Sequence, residues 1–103
     1  MKNKKINLDE IIKILKENKN ILKKYGVNKI GLFGSFVRNE QKDDSDIDFL
    51  VEFEKPNFDN FMDLAFYLEN LFGRKVEILT PAGVESIRID YIKDEIKRSI
   101  VYV

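Results

Sequence analysis

Apolar residues return with a helical period at the start of the chain. Leu8, Ile11, Ile12, Leu15, Leu22 and Tyr25 are separated by lysines, glutamates and asparagines, which predicts a helix over about 8 to 25 with a break near Asn18 to Asn20. Asn7 or Asp9 can cap its start, and Gly26 can end it in the left-handed conformation. Val27 to Phe33 then reads as a short strand closed by Gly34-Ser35, and the Phe36-Val37 pair gives way at once to Arg38-Asn39-Glu40-Gln41-Lys42-Asp43-Asp44. That segment is too polar for a core and reads as a short helix followed by a loop.

From 46 to 53 the period changes to two. Ile47, Phe49, Val51 and Phe53 would share one strand face while Asp46, Asp48, Leu50 and Glu52 share the other. Pro56-Asn57 breaks the run, and Phe58, Phe61, Met62, Ala65, Leu68, Leu71 and Phe72 restore the helical period until Gly73. Lys75-Val76-Glu77-Ile78-Leu79 predicts a third strand, with Glu77 opposite the face of Val76 and Ile78. Val84, Ile87, Tyr91, Ile92, Ile96 and Ile100 predict a last helix over about 82 to 99, after Thr80-Pro81. The order of elements implies an α/β (α+β) fold, a small mixed β-sheet flanked by helices, in a single domain over 1-103 with no room for a second.

Composition narrows the chemistry. With 18 Lys+Arg against 18 Asp+Glu the net charge is zero, so no direct non-specific nucleic-acid binding is expected, although a local basic patch stays open. The chain has neither cysteine nor histidine, which removes disulfides, thiolate nucleophiles, thiolate zinc sites and an imidazole base. The basic start Met1-Lys2-Asn3-Lys4-Lys5 is followed by no apolar signal core, and no membrane span is expected; the expected compartment is the cytoplasm.

The residues left to do chemistry are carboxylates, hydroxyls, lysine and arginine. Asp46 and Asp48, on one face at a strand entrance, would repel each other unless well solvated or bridged by a cation. Hard oxygen ligands suit Mg²⁺ or Mn²⁺, and Mg²⁺ commonly completes its shell with water and phosphate. Taken alone, Asp-x-Asp also fits a solvated turn followed by an exposed strand residue. Gly34-Ser35 would let a backbone approach a phosphate at a helix start, or would simply be a strand-to-helix turn with a capping serine. Arg38, one turn later, can aim at the same phosphates or pair with Glu40 or an aspartate. Glu77 is the candidate third carboxylate, as proton acceptor or metal ligand, or else an exposed strand residue.

Together, Gly34-Ser35-x-x-Arg38 and Ser45-Asp46-Ile47-Asp48-Phe49-Leu50-Val51 resemble the signature of the DNA polymerase beta nucleotidyltransferase superfamily. With Arg38-x-Glu40 and Val76-Glu77-Ile78-Leu79-Thr80-Pro81, the chain is most similar to the minimal nucleotidyltransferase (MNT) branch, whose members are commonly encoded beside HEPN-domain toxins. The resemblance implies a polymerase beta-like core, Gly34 and Ser35 on the triphosphate, two Mg²⁺ ions on Asp46 and Asp48, and Glu77 at the third acidic position. Most members have aspartate there, one methylene shorter. Arg38 matches the arginine of the branch's motif.

The activity implied is transfer of AMP from ATP to a tyrosine of a HEPN toxin, so that the chain acts as antitoxin. Two other readings fit the same residues: a non-catalytic antitoxin that neutralises its partner by contact, and a small-molecule nucleotidyltransferase. Homo- and hetero-oligomers both remain open.

Overall fold

A computed structural model describes residues 6–55 and 57–103; the basic start at Met1 to Lys5 and the strand-breaking Pro56 lie outside them. The predicted first helix is two, α1 (Leu8–Glu17) and α2 (Lys19–Lys24), divided at Asn18. Asn7 caps α1 by accepting from the Glu10 amide, and Gly26 follows α2 at a φ of 81°. Strand β1 (Val27–Phe33) leads into the single turn of α3 (Ser35–Arg38), then β2 (Ile47–Phe53), α4 (Phe58–Phe72) and β3 (Val76–Leu79). Asn57 and Gly73 cap the two ends of α4.

The end of the chain departs from expectation. The helix expected over 82 to 99 is divided into α5 (Pro81–Glu85) and α6 (Asp90–Ser99), and a short strand β4 (Val101–Tyr102) follows. Thr80 caps α5 through the Gly83 amide, with Pro81 at the first helical position, but the helical period across residues 86–89 does not survive as helix. The division turns α6 back across the sheet, where Glu85 on α5 pairs with Lys97 and Lys93 on α6.

Among the described residues the sheet runs β3-β2-β1-β4. β1 pairs antiparallel with β2 and with β4, while β2 and β3 are parallel, α4 providing the crossover. Gly31 makes room for β4: a Cβ there would lie 2.9 Å from the Tyr102 ring and 3.1 Å from the Val101 carbonyl.

The alternation of β2 sorts as its sequence predicts. Ile47, Phe49 and Val51 are fully buried against Ile11, Leu15, Leu64, Leu68 and Phe72 from α1 and α4. The buried stripe of α4 is Leu64, Leu68 and Phe72; Leu64 is not in the stripe that the helical period picks out, and Phe58 within that stripe is 75% exposed. Across the sheet a smaller cluster gathers Phe33, Leu50 and Val84, with Leu79, Ile87, Ile96 and Ile100 half-buried around it. No described helix is long and apolar enough to cross a membrane.

Candidate active site

Antiparallel pairing of β1 with β2, and parallel pairing of β2 with β3, bring the end of β1 and the starts of β2 and β3 to one end of the sheet. Phe33 lies opposite Asp48, and Asp48 lies beside Glu77 in the ladder. Gly34, the residue after β1, therefore meets Asp48 directly. Its φ of 81° and ψ of −151° fall in a corner of backbone space that only glycine adopts freely. A Cβ on Gly34 would sit 2.1 Å from Asp48 Oδ2, inside contact distance. Glycine is thus required twice here, for conformation and for room.

Ser35 is the first residue of α3, and Gly34 takes the cap position with no side-chain cap hydrogen bond, so the expected capping role of Ser35 is not found. Within α3 the Val37 and Arg38 amides both donate to the Gly34 carbonyl, so the Ser35 and Phe36 amides are the ones that intrahelical bonding does not use. They follow directly on Gly34, the residue that meets Asp48. With one turn, α3 contributes little macrodipole, and any pull on an anion rests on these local N–H groups.

Asp46 precedes β2, whose pairing begins at Ile47, so the two aspartates do not stand in one strand as expected: Asp48 is in the ladder and half-buried, while Asp46 is exposed on the loop just ahead of it. Even so they sense each other. The Asp48 carboxyl is pushed up to about 6, first by burial, then by the negative charges of Glu77 and Asp46 and by a hydrogen bond shared with Glu77, with Arg38 opposing the rise. Three carboxylates thus crowd one end of the sheet.

Among the described residues no group of three or more acidic side chains is arranged to hold a metal ion by itself. Two carboxylates supplemented by water and phosphate oxygens are what Mg²⁺ ordinarily takes, so the oxygen-only donor set and its repulsion fit a hard divalent cation.

Of the two roles open to Arg38, the structure shows the pairing one. Its Nε donates to Glu40 at 2.6 Å and Nη1 lies 3.6 Å from Glu95 of α6, while its charge reaches Asp48. The tether to α6 through Glu95 had no sequence signal, because the pairing depends on how α6 folds back. Arg74, between α4 and β3, was also missed. Its place next to a helix-ending glycine suggests solvent, yet it is 7% exposed, with its guanidinium 5.2 Å from the Phe36 ring and Nη1 donating to the Ser45 carbonyl at 2.8 Å. Asp44, Asp46, Arg74 and Lys75 line an open depression of about 510 Å³ at this end of the sheet.

The family model for the nucleotidyltransferase domain matches residues 8–103. The chain belongs to this family. A relative in Methanocaldococcus jannaschii, named "Putative protein adenylyltransferase", is 44% identical over 100 residues, covering 93% of this chain and 97% of the relative. The protein adenylyltransferase MntA of Thermococcus cleftensis is 41% identical over 100 residues, covering 95% and 97%.

Among solved structures, one described as a putative minimal nucleotidyltransferase superposes with a TM-score of 0.71 at 24% identity, covering 93% of this chain and 95% of that one. A toxin-antitoxin with AMP-PNP gives a TM-score of 0.61 at 22% identity, covering 94% and 72%. At these identities the two structures speak for the fold alone. The family model and the 41 to 44% identical relatives make this nucleotidyltransferase an MNT-type domain, with the mixed sheet and flanking helices that the resemblance implied.

Proposed function

We propose that this nucleotidyltransferase is a Mg²⁺-dependent protein adenylyltransferase, moving AMP from ATP to a tyrosine hydroxyl of a HEPN-type toxin and thereby acting as antitoxin. The observation that carries the reading is the contact of the Gly34 turn with Asp48, beside Glu77 and just behind Asp46. It places a side-chain-free backbone turn, suited to phosphate, against crowded carboxylates suited to cations. The protein acceptor is supported by the adenylyltransferase names of relatives at 41 to 44% identity, and the toxin partner by the toxin-antitoxin complexes that share the fold.

In this reading the Gly34 and Ser35 turn holds the triphosphate, with Arg38 close enough to add positive charge once it gives up part of its pairing with Glu40. Asp46, Asp48 and Glu77 would hold two Mg²⁺ ions, Mn²⁺ being an alternative, which supply neutralisation of the triphosphate and of the departing pyrophosphate. The acceptor oxygen forms a bond to the α-phosphorus as the bond to the bridging α–β oxygen breaks, and pyrophosphate leaves with that electron pair. The hydroxyl proton passes to a carboxylate of the Asp48–Glu77 pair, with Glu77, the more exposed, as acceptor.

The test mixes the chain with the protein encoded by the adjacent gene, Mg²⁺ and α-labelled ATP. Label is expected on a partner tyrosine and is expected to vanish with Asp48→Asn. An unlabelled partner, still neutralised in cells by a chain carrying Asp46→Asn with Asp48→Asn, would instead establish inhibition by contact.

A further inference from the structure

Arg74 is a charged side chain held almost out of water, and burying a guanidinium is costly unless its donors and its plane are used. Both are used here. Nη1 donates to the Ser45 carbonyl at 2.8 Å, and the guanidinium lies 5.2 Å from the ring centre of Phe36, itself only 1% exposed. The next residue continues the arrangement, for the Lys75 carbonyl accepts the Ile47 amide at 3.1 Å.

The Ser45 carbonyl and the Ile47 amide belong to the two peptide groups on either side of Asp46. Both are therefore fixed from residues 74 and 75. Asp46 stands ahead of the β2 ladder and is exposed, so side-chain packing does not set its direction; the first rung of the β2–β3 pairing holds the peptide after it, and Arg74 holds the peptide before it. The same guanidinium supports Phe36, which follows Ser35 in α3, so the turn beside Asp48 rests on it too.

We propose that Arg74 is a positioning residue for nucleotidyl transfer, locking the Asp46 backbone and the Gly34–Ser35 turn into one geometry. In this proposal it acts through Asp46 and the turn, not on the nucleotide itself. A lysine could keep the charge and one donor, but it lacks the broad guanidinium that sits over Phe36 and the fixed fork of donors. The inference rests on the metal-site reading above, and its test separates the two.

Mn²⁺ binding to the intact chain, without ATP or partner, is measured by loss of the free-ion electron paramagnetic resonance signal. The comparison is wild type, Arg74→Lys, Arg74→Met and Tyr67→Phe. Tyr67→Phe removes a part-buried hydrogen bond to Asn18, outside the candidate site, and reports what loss of stability alone does. Arg74→Met is expected to weaken Mn²⁺ binding by about tenfold and Arg74→Lys by about threefold, as for residues that orient metal ligands from behind, with Tyr67→Phe at the wild-type value.

Wild-type affinity in folded Arg74→Met overturns the proposal and leaves Arg74 a fold element. Should Arg74→Met fail to fold, Arg74→Lys decides, and an affinity equal to wild type overturns it. If the wild type takes up no Mn²⁺, the metal-site reading falls by itself. Amide hydrogen exchange at Asp46 and Ile47 then decides: faster in Arg74→Lys than in Tyr67→Phe upholds the clasp, and no difference overturns it.

Discussion

The two faces of the sheet are built to different standards. On the side of α1 and α4, β2 presents Ile47, Phe49 and Val51, all fully buried, and the cluster continues through Leu15, Leu64 and Leu68. On the side of α5 and α6, β2 presents Asp48, Leu50 and Glu52, of which only Leu50 is buried. α6 has no buried residue at all and is held to α5 partly by exposed ion pairs, which are worth little individually. One strand thus serves both sides: its odd positions supply stability, and its even positions begin with a carboxylate that folding crowds. Concentrating packing on one face leaves the other free to tolerate charges that a well-packed core would expel.

The contrast can be broken most forcefully from the packed side. Phe49→Ala removes a fully buried ring that lies 6.0 Å from the ring of Phe72, and should cost about 3–5 kcal/mol in denaturant unfolding. Against a typical total of about 5–15 kcal/mol, that is enough to leave a fraction of the chain unfolded at 37 °C. A loss under about 1 kcal/mol would mean that the packed face relaxes around the void and is no more tightly built than the other.

Gly34→Ala acts on the other side. A Cβ meeting Asp48 Oδ2 must displace the turn or the carboxylate, so transfer activity should fall about a hundredfold, by misplacement. The accompanying stability loss, about 1–3 kcal/mol from backbone strain, should stay below that of Phe49→Ala. Labelled-nucleotide transfer and an unfolding curve on the same sample separate the two effects.

The smallest effect has the opposite sign. Because the Asp48 carboxyl titrates near 6 in the folded chain against 3.8 for a free side chain, the native state binds the extra proton between those values. Stability therefore falls as pH rises from about 4 to 6, and the full cost is present above 6. Asp48→Asn, whose amide can donate to Glu77 as the protonated acid does, should raise the melting temperature at pH 7.5 and leave it unchanged at pH 4. The gain is about 1 kcal/mol, since the site is half open to solvent and the repulsion is screened. Unfolding curves at the two pH values check the sign.

Much of this division is legible in the chain itself. The period-two run of β2 separates Phe49 from Asp48 by alternation alone, and Asn7, Gly26 and Gly73 mark helix limits because caps and left-handed turns are local chemistry. Glu77 beside Asp48 follows from two strand patterns together with the assumption that the strands are neighbours. What stayed hidden depends on long-range packing. The helical period of Val84 to Ile100 gives no sign of the break at 86–89, and β4 has two residues, too few for a pattern. Arg74 reads as an exposed end because its partners, Ser45 and Phe36, are 29 and 38 positions earlier in the chain.

The outer edge of the sheet beyond β1 bears on how the molecule keeps to itself. β4 covers only Gly31 and Leu32 in the ladder, with Val103 adding one bond to Ile30, so the opening residues of β1 have no strand partner on that flank among the described residues. An unpaired edge is an invitation to a foreign strand and hence to fibre growth. Here the exposed residues are Asn28 and Lys29, the register slips by a bulge between Val27 and Lys29, and the Lys29 ammonium lies 4.1 Å over the Tyr102 ring. A twisted, charged margin makes poor adhesive, and a chain with zero net charge has little global repulsion to fall back on.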